Sequence, residues 1–553
     1  MAHAALASAW KELGYETKAR EEAQRAFELS RSLPLEEQLF VEGRLRELSG
    51  EWERAAEIYR TLFGHSPESL DYAVRLANAQ GYAGKAREAL PVIESLRKLP
   101  PPAGEDARID LAEAALAGFT GDFRRQADAA LRAAGKGRKE GARLQVAYAL
   151  SVRGVAQRRL GELDEAVASA GEARRIYAEA GDRNGEARAL VETAFALWGK
   201  GELQASRKKA EEALAVFEEI GNKGGLAQAR LAIVNVLGEQ GDQRGAEEAT
   251  RGVLALFREL GDVSNAAGAV NNLGIILKDQ GRLAEARQAY EESLSLRRAR
   301  GEDKGVASVL CNLGELLLLR GELPPARERL TEARDLAAKI GDKTVAARAG
   351  LYLGTILFAE GNLAGARARY EEAREARAAQ GFMRAAAEAR LALAEVTLEE
   401  GKSAAAEAEA RELAEAFARD KSRDDEALAR ALVARALLAQ GRDAAANLAV
   451  AEALSLAART ESRPVILRAG LAAAAVDAQA GRAGPARSRL QKLIAEAQRL
   501  GLLPIVLEAR LLSGALDARA GNPKPLEELV QEASTRGFTL LSRKAWMALG
   551  KKA

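Results

Sequence analysis

Residues 263–298 read VSNAAGAVNNLGIILKDQGRLAEARQAYEESLSLRR, and this stretch decides the fold. Gly281 divides it. After the glycine, Leu283, Ala286, Tyr290 and Leu294 follow at three- and four-residue intervals. That spacing lines one face of an α-helix, whereas a half-buried strand would need strict alternation. Glycine ends a helix because, lacking a Cβ, it enters the left-handed region without steric cost. The stretch therefore predicts a helix A that runs to about Asp279, a turn at Gly281, and a helix B beyond it.

Outward from this unit the turn glycine recurs. It stands at Gly121, Gly161, Gly201, Gly241, Gly281, Gly321, Gly361, Gly401, Gly441, Gly481 and Gly521, always 40 residues apart. Upstream, Gly14, Gly50 and Gly84 continue the series with steps of 36, 34 and 37, which makes fourteen units. A second series falls half a period away, at Gly141, Gly181, Gly221, Gly261, Gly301, Gly341, Gly381 and Gly501. In that series Lys421 stands where a glycine is expected. Two helix ends per period mean two helices per unit. Such a unit cannot bury its apolar face alone, so neighbours must stack into a solenoid.

Two columns of small residues support close packing of A on B. Seven residues before the turn glycine stands Gly or Ala in thirteen of fourteen units, among them Gly274, Gly314, Gly354 and Ala394, with Val234 the exception. Five residues after it stands Ala in eleven of fourteen, among them Ala246, Ala286, Ala326 and Ala366; Gln126, Ser206 and Leu526 depart.

Asn272-Leu273-Gly274, followed by Gly281, Ala286 and Tyr290, resembles the tetratricopeptide repeat pattern L-G…G…A…Y/F, and Asn312-Leu313-Gly314 with Gly321 and Ala326 repeats it. The resemblance covers nearly the whole chain. It implies an all-α, right-handed α-solenoid of about fourteen helix–turn–helix repeats. The units are about six residues longer than the usual repeat, which implies longer helices. HEAT and armadillo repeats approach this period but lack the small-residue register. The expected organisation is a shorter-period array over 1–99, a regular array over 105–537 and a capping helix in 538–553, with Arg543 and Lys544 on Thr539–Gly550 and Lys551 and Lys552 just beyond it.

A narrower resemblance lies between Ala2 and Gly141. Gly50-Glu-Trp-Glu-Arg-Ala-Ala-Glu-Ile-Tyr59, Asp71-Tyr-Ala-Val-Arg-Leu-Ala-Asn-Ala-Gln80 and Leu96-Arg-Lys-Leu-Pro-Pro-Pro102 are similar to repeat regions of bacterial signalling proteins. There the array follows a serine/threonine kinase or another effector domain. This implies an alternative role as the non-catalytic repeat portion of such an enzyme. Helix A of the first unit starts almost at Met1, with Leu6 and Trp10 in register and no polar cap, so further chain is expected before it.

Composition restricts the function. Lys and Arg number 82 against 80 Asp and Glu, and a net charge of +2 gives no overall attraction to nucleic acid or anionic lipid. No apolar run reaches the roughly 18 residues of a membrane span, and no signal-peptide pattern opens the chain, so a cytoplasmic protein is expected. One cysteine, Cys311, permits no internal disulfide. His3 and His65 form no metal-ligand spacing with it. Paired carboxylates such as Glu211/Glu212 and Glu291/Glu292 lie among Arg and Lys and read as solvated helix faces. Phosphate-loop, nucleophile-elbow and kinase signatures are all missing. The expectation is a non-enzyme without cofactor or metal.

Three local readings complete the sequence. Leu99–Gly104 should interrupt the helices through its prolines. Gly135-Lys-Gly-Arg-Lys-Glu-Gly141 reads as a loop, and Arg419–Glu426 as a solvated turn. A protein or peptide partner should lie against the concave face, which the resemblance assigns to helix A. The family's inward positions, near three, six and ten residues before the turn glycine, fall on Val191, Phe195 and Trp198; on Leu231 and Asn235; on Asn271, Ile275 and Lys278; on Cys311, Glu315 and Leu318; and on Leu351, Thr355 and Phe358. Members that grip a carboxylate use Lys and Asn there. Asn235, Asn271, Asn272 and Asn312 supply amides, but Leu231 replaces the first lysine, so a complete clamp is not expected.

Overall fold

Helices Val263–Asp279 and Leu283–Ala299 meet at Gly281, whose φ is 78°. Gly281 N donates to Lys278 O at 2.9 Å and Arg282 N to Leu277 O at 2.8 Å. This pair of bonds satisfies carbonyls that a helix end would otherwise leave bare, and it requires a left-handed residue between them. Gly321 and Gly361 end their A helices in the same way. The computed structural model describes residues 2–13 and 15–550, and the described residues form twenty-nine α-helices and two 3-10 turns, with no strand. Gly14, Lys551 and Lys552 lie outside the described residues. The fold is the all-α solenoid of two-helix repeats that the glycine spacing predicts.

The half-period series also holds. Gly141, Gly181, Gly221, Gly261, Gly301, Gly341, Gly381 and Gly501 all have positive φ. Lys421 keeps the register without being a glycine: its φ is 56°, and Ser422 N still donates to Phe417 O at 2.9 Å. The turn predicted over Arg419–Glu426 narrows to Asp420–Ser422, because helices Ser403–Arg419 and Arg423–Ala439 claim the flanks.

One local reading is overturned. Gly135–Glu140 is not a loop but the last part of helix Phe123–Glu140. Only Gly141 turns the chain, with φ 69°. Ala127, Ala130, Ala134 and Gly137 are buried along one face, and a Cβ at Gly137 would come within 3.0 Å of Val146 Cγ2. Tertiary packing outweighs the weak helix propensity of glycine here, and Asp122 caps the helix by accepting from Arg125 N. Leu99–Pro102 does break the helices, with a single 3-10 turn at Ala103–Glu105.

The small columns are the A–B interface. A Cβ on Gly354 would sit 2.7 Å from the Tyr370 ring, and one on Gly43 would sit 2.8 Å from Tyr59. The departures in the second column are compensated locally. Ser206 Oγ donates to Ala194 O at 2.7 Å across the interface. Leu526 instead occupies the space over Gly514, where a Cβ would lie 2.8 Å from its Cδ2.

The helices group into two compact units, residues 1–240 with 244–269, and residues 241–243 with 270–553. Each coils back on itself. In the first, Asn222 Nδ2 approaches Glu12 O at 3.5 Å, and a Cβ on Gly261 would strike Thr17 Oγ1. In the second, Gln243 N donates to Glu461 Oε2 at 3.2 Å. Cβ atoms on Gly281 and Gly321 would lie 2.9 Å from Leu500 and 2.7 Å from Leu503.

Candidate functional site

Neighbouring A helices in each unit are joined by polar bonds one repeat apart. In the second unit Lys278 Nζ donates to Glu315 Oε1 at 2.5 Å, Asn312 Nδ2 to Asn271 Oδ1 at 2.8 Å, and Arg348 Nε to Cys311 Sγ at 3.2 Å. Tyr352 lies close enough to help lower the Glu315 pKa. Burial opposes the charge on Lys278, yet the Glu315 carboxylate keeps its pKa well above the ordinary lysine value. Burial likewise raises Glu315, and Lys278 more than offsets it. Burial pushes the Cys311 thiol up, so Cys311 is an inert core residue, fully enclosed.

These bonds decide what the inward positions can do. Lys278, Glu315 and Asn271 are engaged with their own chain. Leu318 and Leu351 are buried, as is Val191 in the first unit; each serves packing between stacked helices. Ile275 and Phe358 are half-buried and pack against apolar clusters. Thr355 is exposed and accepts a hydrogen bond from Tyr370 Oη at 3.2 Å.

The first unit presents a different surface. Phe195 and Trp198 lie on helix Arg183–Gly199, Trp198 in its last turn, and both keep part of their surface open. Leu231 and Asn235 on the next A helix are likewise half-buried. The Arg158 guanidinium lies 5.4 Å from the centre of the Phe195 ring and 3.7 Å from Glu192. Trp198 Nε1 is buried without a hydrogen-bond acceptor. Burial and the adjacent Arg158 push the Arg159 pKa down, and burial pushes Glu192 up. Arg158 and Arg159 both lie within electrostatic range of Glu192. The result is an aromatic surface bordered by guanidinium groups.

A second feature of helix A was not predicted. In the second unit a cleft of about 290 Å³ opens between helices Arg423–Ala439, Arg463–Gln479 and Leu503–Arg519. Leu438, Ala475, Ala478, Leu512 and Ala515 line it. The signal was present: Leu438 and Ala478 stand three residues before their turn glycines, and Ala475 and Ala515 six before. Small residues at inward positions leave volume that larger ones would fill. Its size suits an apolar side chain, being at the lower limit for a small-molecule site.

Among the described residues no helix is long and apolar enough to cross a membrane, and no group of three or more His, Cys, Asp or Glu is placed to hold a metal ion.

Residues 265–339 match the family model described as tetratricopeptide repeat. No curated protein sequence matches the chain. Among solved structures, similarity is found to a Rap protein complexed with Competence and Sporulation Factor, at 15% identity and a TM-score of 0.43, over 66% of this chain and 98% of that one. A STAND protein with a tetratricopeptide repeat sensor from Pyrococcus horikoshii is 17% identical with a TM-score of 0.41, over 66% of this chain and 52% of that one. BtubC from P. vanneervenii is 21% identical with a TM-score of 0.34, over 41% of this chain and 92% of that one.

Proposed function

We propose that this all-α solenoid, whose residues 265–339 match the tetratricopeptide repeat family model, is a protein-interaction scaffold that holds a peptide or protein partner against its A helices. The observation that carries the reading is the surface around Phe195 and Trp198. Two partly open aromatic rings lie there, and the Arg158 guanidinium, paired with Glu192, stands 5.4 Å from the centre of the Phe195 ring. Aromatic and arginine side chains are the usual energetic anchors of interfaces, the aromatics because they bury large area at small entropic cost and arginine because its planar fork both stacks and hydrogen-bonds. The partner segment that fits is apolar with acidic residues alongside.

The test is affinity capture by wild type and by a Phe195→Ala/Trp198→Ala variant of equal helicity. Loss of captured partners from the variant supports the site. Equal recovery removes both residues from it. A contact that depends on Arg158 and Arg159 also weakens as salt rises, since partly exposed charges are screened.

A further inference from the structure

The 290 Å³ cleft of the second unit opens where two successive repeats place alanine six residues before the turn glycine. That inward position holds Phe195, Ile275, Thr355 and Arg435 in other units, and then Ala475 and Ala515. Leu438 and Leu512 also line the gap and are only half-buried, so its apolar wall is still in reach of solvent. The rest of the lining is polar. Gln479 and Arg519 hold equivalent places on successive A helices, two residues before their turn glycines, and both are exposed. Among the described residues no hydrogen bond or ion pair engages either side chain. The acids nearest to them in sequence are already committed. Asp477 pairs with Arg482 at 2.9 Å and with Arg489 at 3.4 Å, and Asp517 pairs with Arg487 at 3.0 Å.

An apolar cavity beside an unengaged guanidinium complements a bulky apolar group with a carboxylate close to it. Spacing selects how the two are joined. Arg519 lies one helical turn beyond Ala515, about 6 Å along the axis. In an extended chain the side chains on one face recur every second residue, about 6–7 Å apart. We propose that the cleft seats one leucine-sized side chain of an extended partner segment, and that Arg519, with the Gln479 amide beside it, holds an Asp or Glu two residues away in that segment. The proposal rests on the reading of this chain as a scaffold for protein partners, but not on Phe195 or Trp198, which belong to the first unit.

The experiment is saturation-transfer NMR titration of the full chain with the blocked peptide acetyl-Gly-Leu-Ser-Glu-Gly-amide. The expected result is transfer to the leucine methyls at millimolar peptide. Replacing the peptide's leucine by alanine should weaken binding about tenfold, and replacing its glutamate by glutamine about two- to fivefold. Ala475→Leu fills the cleft and should abolish transfer. Arg519→Glu changes an exposed residue, so it keeps the fold, and it should remove the preference for glutamate over glutamine. Phe195→Ala/Trp198→Ala should bind the peptide as wild type does. Absence of transfer to wild type, or equal binding by Ala475→Leu, would overturn the proposal. So would equal binding of the glutamate and glutamine peptides, or tighter binding of acetyl-Gly-Leu with a free terminal carboxylate. If the peptide fails while partner capture still depends on Phe195 and Trp198, the cleft proposal falls and the scaffold reading stands.

Discussion

Gly274 faces the ring of Tyr290, and a Cβ built on the glycine would lie 2.6 Å from Tyr290 Cε1. The phenol is fully enclosed, and its hydroxyl has no hydrogen-bond partner. The A and B helices therefore touch through a glycine on one side and an aromatic ring on the other. Gly274→Leu should overpack this contact and cost about 1–3 kcal/mol, read as a lower urea midpoint. Tyr290→Phe should be neutral or slightly stabilising, since it removes a buried hydroxyl that bonds nothing. An unchanged midpoint for Gly274→Leu would contradict the close approach.

Lys421 supplies a test of the turn chemistry. It holds φ 56° where the equivalent turns use glycine. A left-handed residue with a Cβ is strained by roughly 1–2 kcal/mol, and part of that gain is lost again because glycine frees the unfolded chain. Lys421→Gly should therefore stabilise by about 0.5–1 kcal/mol. The reverse change, Gly381→Lys, should destabilise by about 1 kcal/mol. Paired denaturation curves check both, and a destabilised Lys421→Gly would show that its side chain has a role in the turn.

The repeat architecture was legible because it is written in local chemistry. Each helix end needs a left-handed residue, and each A–B crossing needs small side chains, so Gly281, Gly274 and Ala286 can be read without a structure. The loop reading at Gly135–Gly141 failed because helix Phe123–Glu140 is held by packing that propensity does not report. The inward positions were legible only as positions. Whether one is open depends on a partner a repeat away: Lys278 is closed by Glu315, while Phe195, with Arg158 over its ring, stays partly open. The spacing of such pairs could have been searched. In the first unit Arg143 bonds Glu179 and Arg183 bonds Glu219, each 36 residues on, and Lys223 with Glu259 repeats the interval. The contacts between Gly321 and Leu503 or Gly361 and Arg543 leave no such signal, because they depend on how tightly the unit coils.

Asp110 predicts the acid response of the first unit. It is fully buried and receives Arg97 at 2.7 Å, Arg132 at 3.0 Å and Lys136 at 2.7 Å. Burial alone would raise its pKa, but Lys136, Arg97 and Arg132 bring it below the usual aspartate value. Glu113 beside it is lowered in the same way, with burial again offset by Arg125 and Arg132. A carboxyl with a depressed folded pKa contributes stability that is present above its unfolded value, about 4, and is lost as pH falls through the folded one. The first unit should lose stability below about pH 4, most steeply around helix Ala107–Thr120. Asp110→Asn should cost about 2 kcal/mol at neutral pH, less than a wholly buried pair because the cations are partly solvated, and should flatten that acid dependence. Melting curves between pH 3 and 7 distinguish the outcomes; an equally steep acid loss in the variant would assign it to other carboxylates.

Lys278 and Glu315 separate packing from recognition on helix A. Their side chains are 12% and 23% exposed, and each sits within reach of Tyr352. Removing one charge strands the other in a poorly solvated site, so Lys278→Ala should cost about 3 kcal/mol. Replacing both, as Lys278→Met/Glu315→Leu, should return stability to within about 1 kcal/mol of wild type, because the desolvation penalty disappears with the attraction. A double-mutant cycle in urea measures the coupling. If the pair also contacts a partner, the stable double variant should lose capture of it; if the pair is only a rung between stacked repeats, capture should survive and depend on Phe195 and Trp198 alone. A single variant that keeps full stability would mean that water already reaches this pair and that the rung does not hold the two A helices together.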